Sequence, residues 1–412
     1  MRIVTAYAYD TAIANLQKRQ QDLSETQTQL TSGKRVNRAS DDPTAAARAE
    51  RALASIARSE ANKRALDASA NVMGIAESAL GDSVELLQSA RETLVAAGNG
   101  SYSDGERKAL AIKLREIRNQ LLNVANRPDG GGGYVFGGQG SSQPPFVDNT
   151  TGVSFEAQGG EMLASSSEKL NLTVDGEQIF LKSKTGNGIF TTGPLAGSNS
   201  GKAWINSGTV TDPSALPYPS GGGTSATYEL RFATSGSTRT YDIVDTSTVP
   251  ETPLSTGNSF TSGKAIQIPG LGMAVAVSGE PANGDVFTIG ESTNSQSIFK
   301  TLDDTIAALS QDNVLGPTVQ QITTTGITGL DSVLNNIQGA RSAVGESLNR
   351  MDGIDNRISA LKLAAQQEKS AAEDLDLTEA ISKFQGQQTG YQVALQSYAA
   401  VQQLSLFNYI NG

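Results

Sequence analysis

The chain has 412 residues with 43 glycines, one Trp, no Cys and no His, and a formal charge of −10. Without Cys there is no disulfide framework, thiol nucleophile or thiolate metal site. Without His the usual proton carrier near neutral pH and the commonest zinc ligand are missing, so a Ser-His-Asp triad cannot be built and an enzyme is not expected. Net acidity argues against a nucleic-acid partner.

No run approaches the roughly 18 to 20 apolar residues that a bilayer core requires. The opening MRIVTAYAYDTAIANLQKRQ lacks a basic segment followed by an apolar one, so no cleavable secretory signal is visible. That pattern fits a cytoplasmic chain, and equally one exported by uncleaved N-terminal residues. Charge is uneven: residues 1–130 carry 18 basic and 16 acidic side chains, residues 131–300 carry 8 and 14, and residues 301–412 carry 6 and 12. The opposite signs of the two ends suit mutual packing, although most such charges sit on solvated faces.

In chain order, residues 10–32 place Ile13, Leu16, Gln20, Leu23, Gln27 and Leu30 at alternating spacings of three and four, a coiled-coil seam. Gly33 is placed to end that helix. After the loop KRVNRAS, Asp41-Asp42-Pro43 reads as an Asp cap with Pro in the first turn of the next helix, a better account of the paired carboxylates than acid–base chemistry. That helix is predicted over 43–97, roughly 80 Å long at 1.5 Å per residue. Its seam runs Leu66, Ala70, Met73, Glu77, Leu80, Val84, Leu87, Arg91, Leu94. Ser103-Asp104-Gly105-Glu106 is a capping box for a third helix, carrying Leu110, Leu114, Ile117, Leu121 and Val124. Pro128 and the glycines 130–133 end it in what reads as a flexible connection.

From 134 to 297 Gly, Ser and Thr dominate and period-two stretches replace the heptads. Residues 170–182 read as a hairpin about Asp175-Gly176, and 228–244 as a second hairpin. Residues 265–277 and 285–289 supply further strands, while 193–223 reads as long surface loops. Helix returns near 296 with Phe299, Leu302, Ile306 and Leu309, then with a seam from Leu330 through Leu334, Ile337, Arg341, Val344, Leu348, Met351 and Asp355 to Ile358. After the acidic stretch 371–380 a last seam takes Leu377, Ile381, Phe384, Gln388, Tyr391, Leu395 and Tyr398 into LSLFNYING.

The expected fold is therefore mainly α with an inserted β domain: a rod of long N- and C-terminal coiled-coil helices packed together, with a β-rich lobe between them. The segments are 1–42 (assembly helix and loop), 43–133 (N-terminal limb), 134–297 (β-rich insert), 298–370 (C-terminal limb) and 371–412 (C-terminal assembly helix). An isolated helix 10–32 does not bury enough apolar surface to offset its ordering entropy, so both ends are expected to be poorly ordered until neighbouring subunits cover them. Ile13, Leu16, Leu23, Leu30, Phe384, Tyr391, Leu395, Tyr398, Leu404 and Phe407 are the candidate assembly residues. No catalytic, cofactor-binding or metal-binding residues are assigned, and no cofactor is expected. Gly33-Lys34 and Gly263-Lys264 fail as phosphate-binding loops, because Thr28 and Asn258 stand where the first Gly is needed and no Ser or Thr follows the Lys. Asp374, Asp376 and Glu379 read as an exposed acidic turn rather than a cation site.

Residues 24–49, SETQTQLTSGKRVNRASDDPTAAARA, closely resemble the N-terminal block of flagellins and flagellar hook-associated proteins. The long terminal limbs fit that family over roughly 250 residues, in keeping with the coiled-coil reading. YVFGGQGSSQPPF (134–146), the C-terminal AISKFQGQQTGYQVALQSYAAVQQLSLFNYI (380–410) and, less decisively, SGEPANGDVFTI (278–289) resemble the hook-associated members. The middle, about 147–265, carries no such resemblance. The resemblance implies type III export in a largely unfolded state and an extracellular place at the hook–filament junction. There the chain would be an adaptor between another hook-associated protein and flagellin, self-associated in a ring and served by an export chaperone, with no membrane or nucleic-acid partner. One alternative is a flagellin-type filament subunit; another, of a different class, is an extracellular binding module using the β lobe.

Overall fold

The heptad stretches form long helices because apolar positions at spacings of three and four leave one continuous stripe to bury. In the computed structural model, residues 2–164, 168–219, 225–236 and 238–410 are described, with side chains over 10–400. Helix α1 spans Arg2–Ser32, α2 Pro43–Ala97 and α3 Asp104–Ala125. Strands β1 (Phe146–Asn149) and β2 (Gly152–Phe155) and the short helix α4 (Gly176–Phe180) follow. Next come β3 (Ser183–Lys184), β4 (Phe190–Pro194), β5 (Lys202–Ile205), β6 (Thr209–Val210), β7 (Tyr228–Ser235), β8 (Thr238–Asp245) and β9 (Thr252–Ser259). Strands β10 (Ala265–Ile268), β11 (Met273–Glu280), β12 (Val286–Glu291) and β13 (Asn294–Gln296) lead into α5 (Ile298–Leu309), α6 (Gly316–Glu373) and α7 (Leu377–Ile410).

The chain divides into two compact units, one formed by residues 1–64 with 353–412 and the other by 65–352. These units differ from the five segments drawn from the sequence, since α2 and α6 each run through a boundary.

In the unit 65–352, α2 and α6 lie antiparallel. Arg91 pairs with Asp331 at 2.8 Å, Arg341 with Glu77 at 2.6 Å, and the Gln320 amide donates to the Gly98 carbonyl at 2.6 Å. Leu80, Leu87 and Leu94 of α2 are fully buried, as are Leu114 and Leu121 of α3, Leu302 of α5, and Leu330 and Ile337 of α6. Helix α6 begins at Gly316, well before the Leu330 seam. The stretch TVQQITTTGITG is rich in β-branched residues and glycine, poor helix formers in isolation. Packing overrides that preference: Val319 and Thr323 are buried, and a Cβ on Gly326 would lie 3.0 Å from both Leu94 Cδ1 and Thr305 Oγ1. Gly326 thus lets α6 approach α2 and α5 closely.

Residues 128–164 and 168–182 fold onto these helices rather than into a β domain. Phe136 and Phe146 meet Phe180 edge-on at 5.2 and 5.5 Å between centroids, and Phe146 reaches Phe299 of α5 at 6.1 Å. The Asn126 amide donates to the Phe146 carbonyl at 2.8 Å and accepts the Phe146 N–H at 2.9 Å. The glycine run 130–133 wraps the Asp129 carboxylate, which accepts the N–H groups of Gly131 and Gly133 at 2.7 and 2.9 Å. The expected hairpin about Asp175-Gly176 is instead the start of α4. Asp175 accepts the Gln178 N–H at 3.2 Å as an N-cap, and a Cβ on Gly176 would lie 2.5 Å from the Phe136 carbonyl oxygen. The Asp-Gly pair thus serves a cap and a close contact, not a two-residue turn.

A β-sandwich follows. One sheet has the order β4-β12-β7-β8-β9, and the other β10-β11-β5 with β6 also on β11. Period-two alternation sends Tyr228, Leu230 and Phe232, Ile266 and Ile268, Met273, Val275 and Val277, and Phe287 and Ile289 into one shared core. The β7–β8 hairpin matches the sequence expectation, with Ser235 opposite Thr238. Residues 193–219 are more ordered than expected: β5 pairs with β11 and buries Ile205 fully.

Candidate assembly surface

The unit formed by 1–64 and 353–412 is built around two turns that lace into each other. Helix α1 ends at Gly33, whose φ of +70° suits a residue without Cβ and whose N–H donates to the Gln29 carbonyl at 2.9 Å. The chain then runs beside the α6–α7 turn. Arg35 N–H donates to the Glu373 carbonyl at 2.7 Å, Leu375 N–H to the Gly33 carbonyl at 3.1 Å, and the Arg35 guanidinium to the Ala372 carbonyl at 2.8 Å. Lys34 pairs with Glu373 at 3.2 Å.

Each turn also starts a helix. Asp42 accepts the N–H groups of Thr44 and Ala45 at 3.1 and 3.0 Å, capping α2. The Ala45 N–H, then the Thr44 hydroxyl and Arg35, hold its carboxyl down at about 2. Asp41 accepts the Asn37 and Arg38 N–H groups at 3.1 and 2.8 Å, which folds the basic loop. Asp376 accepts from the Thr378 and Glu379 N–H groups at 2.9 and 3.1 Å and caps α7. The acidic turn thus spends Asp376 on a helix start, and among the described residues no group of three His, Cys, Asp or Glu side chains could hold a metal. No helix among them is long and apolar enough to cross a membrane.

The laced turns set α1 against α7, which pack on each other. The polypeptide ends therefore do have a partner within one chain, contrary to the expectation that they find one only in neighbours. Leu16, Leu23 and Leu30 of α1 are half-buried and Thr26 is buried. In α7 the inward positions are Ala380, Phe384, Gln387, Tyr391, Ala394 and Tyr398. This stripe is rotated from the predicted seam. Phe384, Tyr391 and Tyr398 are on it, while Leu395, together with Leu377 and Ile381, stays exposed on the flank. Ile13 is exposed as well. Leu404 and Phe407 lie outside the described side chains. Small residues share the inward stripe: a Cβ on Gly390 would lie 2.8 Å from Nη1 at the far end of the Arg19 side chain. Alanines at 380 and 394 carry no signal in a reading that scores large apolar side chains.

The arrangement holds two amphipathic helices together and leaves apolar side chains uncovered, which is chemistry for packing rather than for catalysis. Two family descriptions match the same helical ends: the bacterial flagellin N-terminal helical region over residues 3–141, and the bacterial flagellin C-terminal helical region over residues 327–410. The chain belongs to the flagellin family. This flagellin-family chain is 24% identical over 411 residues to flagellar hook-associated protein 3 of Escherichia coli K12, covering 99% of each. It is 33% identical over 180 residues to hook-associated protein 3 of Salmonella typhimurium LT2, an alignment spanning 44% of this chain and 57% of that relative. The crystal structure of the flagellar junction protein FlgL from Legionella pneumophila superposes with a TM-score of 0.63 at 26% identity, covering 71% of this chain and 95% of that one. With these relatives, this member of the family is a structural protein of the flagellum.

Proposed function

We propose that the chain is the adaptor that joins the hook, through another hook-associated protein, to the flagellin filament. It does so by packing its terminal helices, residues 1–42 and 371–412, with those of neighbouring subunits in a ring. The observation that carries this reading is a helix pair that is laced together yet incomplete: α1 and α7 share one face and leave Ile13, Leu377, Ile381 and Leu395 exposed. Exposed apolar stripes of this kind are covered in the assembled state of a protein that must remain soluble before assembly. Leu16, Leu23, Leu30, Phe384, Tyr391 and Tyr398 set the pair, Ile13 and Leu395 are available to neighbours, and Leu404 and Phe407 join them in this reading on their sequence alone.

Export without a cleaved signal, and a chaperone that covers the uncovered stripe beforehand, belong to the same reading. Deleting the chain should leave hooks intact while flagellin escapes into the medium; normal filaments after deletion would sink the adaptor role. Leu16→Asp or Phe407→Asp should block incorporation without unfolding the β-sandwich. Normal incorporation of both variants would remove the terminal helices from the interface.

A further inference from the structure

We propose that the β-sandwich is a hinged lobe that pivots on the helices about a two-strand neck. The chain enters the lobe after β3 and leaves it before β13. These two strands pair with each other, Asn294 opposite Lys184 and Gln296 opposite Ser183. Just beyond them the Thr185 N–H donates to the Thr293 carbonyl at 2.9 Å, and the Thr293 N–H donates to Thr185 Oγ1 at 2.8 Å. Both connections thus pass through one narrow point, and the residues between them, 186–291, carry a hydrophobic core of their own.

The lobe faces α6 across a polar crevice. On one side of the neck a cleft of ≈ 470 Å³ opens between the 184–188 turn and α6, and a second of ≈ 250 Å³ opens beside Ile205. From α6 the lining takes hydroxyl and amide side chains such as Gln321, Thr325, Thr328 and Asn335, together with Gly329 and the Asp331 carboxylate, and no large apolar side chain. The opposite stripe of the same helix, Leu330, Val333 and Ile337, is fully buried against other elements. Helix α6 therefore spends its apolar surface on the helical part and offers the lobe only groups that water satisfies equally well. An interface between compact modules that is small and polar leaves relative motion as its default. Among the described residues the tethers across it are few: Ile205 N–H donates to Gln321 Oε1 at 2.9 Å, and the Ser332 hydroxyl donates to the Lys184 carbonyl at the neck itself. Gln321 is the latch away from the pivot. Breaking it costs little as the lobe swings away, because the cleft beside Ile205 then opens to water that satisfies both partners.

The chain has no Cys, so paired spin labels can be introduced on the full-length protein without removing native thiols. Gln267→Cys on β10 with Ile112→Cys on α3 reports lobe against helices. Gln267→Cys with Ala233→Cys reports within the lobe, and Val95→Cys with Ile112→Cys within the helices. All four positions are exposed. The expected result is a cross-pair distance distribution at least twofold wider than both internal pairs, and wider still with Gln321→Ala. A cross pair as narrow as the internal pairs overturns the pivot, and a width unmoved by Gln321→Ala overturns the latch.

Discussion

Leu16, Leu23 and Leu30 of α1 recur every seven residues, and so do Leu80, Leu87 and Leu94 of α2. The second trio is 0% exposed within the unit 65–352. The first trio is half-buried, on a helix that packs antiparallel to α7. One spacing thus marks a finished core in one place and an unfinished one in the other. Heptad rhythm reports that a helix has a stripe to bury, while the number of partners available decides how much of it is buried.

The sharpest way to break this comparison is truncation. Leu87→Ala should lower unfolding free energy by about 2–5 kcal/mol, the range for a large residue removed from a closed core. Leu16→Ala should cost below about 1 kcal/mol in the dilute chain, because much of that side chain already meets water. Urea melts of the monomer measure both, and equal losses would mean that α1 is as enclosed as α2. Hydrogen exchange adds resolution: amides of α1 and α7 should exchange through local opening, well before those around Leu87.

Next in size is Arg118, whose side chain is 7% exposed between Asp148 and Asp303 and lies 5.9 Å above the Phe299 ring. Hydrogen bonds to Asp148, then to Asp303, hold the guanidinium protonated against its burial, and the Asp148 carboxyl is held below its usual range in return. Arg118→Ala removes the link between α3, β1 and α5. The expected loss is about 2 kcal/mol, below the range for a wholly buried pair because both aspartates are more than a third exposed. An unfolding midpoint unchanged from wild type would show that the aspartates relax into solvent without loss.

Glycines within α6 give a finer contrast. Gly326→Ala should destabilise by about 1 kcal/mol, since the added Cβ crowds Leu94 and Thr305 and the crowding outweighs the gain in helix propensity. Gly339→Ala meets nothing within 4 Å and should stabilise by about 0.5–1 kcal/mol. The same sign for both in urea denaturation would refute the close approach at Gly326.

Much of the fold was legible where a residue acts through its own backbone or its own stripe. The capping box at Ser103–Glu106, the Asp42-Pro43 start of α2 and the β7–β8 hairpin are local features and are found where spacing put them. What was not legible depended on distant partners. Residues 316–329 are helical because α2 and α5 press on them, and 170–182 turns into α4 because Phe136 lies over Gly176. The packing of α1 on α7 was half legible: Phe384, Tyr391 and Tyr398 lie on the inward stripe, but Ala380 and Ala394 share it, and small residues carry no signal in a reading that scores large apolar side chains.

The smallest expected effect concerns the laced turns, which the closed unit does not need and the open one does. Asp42 is held at about 2, chiefly by the Ala45 N–H and then by Thr44 and Arg35. An ordinary Asp in an unfolded chain titrates near about 3.9. A carboxyl lowered by folding contributes stability that is fully present above its unfolded pKa and is lost as pH falls through its folded one. Its contribution should therefore hold at pH 5 and above, decline between about pH 4 and 2, and vanish below. A carboxyl-detected NMR titration should find the Asp42 midpoint near 2, and Asp42→Asn, which can still cap α2 through its amide oxygen, should remove that part of the acid dependence. Loosening of the Arg35–Ala372 contact should follow the same titration, because Arg35 is shared between the cap and the α6–α7 turn. A midpoint near 4 would mean that the cap forms only part of the time, and the registration of α1 against α7 would then rest on the backbone bonds between the two turns and on the helices' side chains.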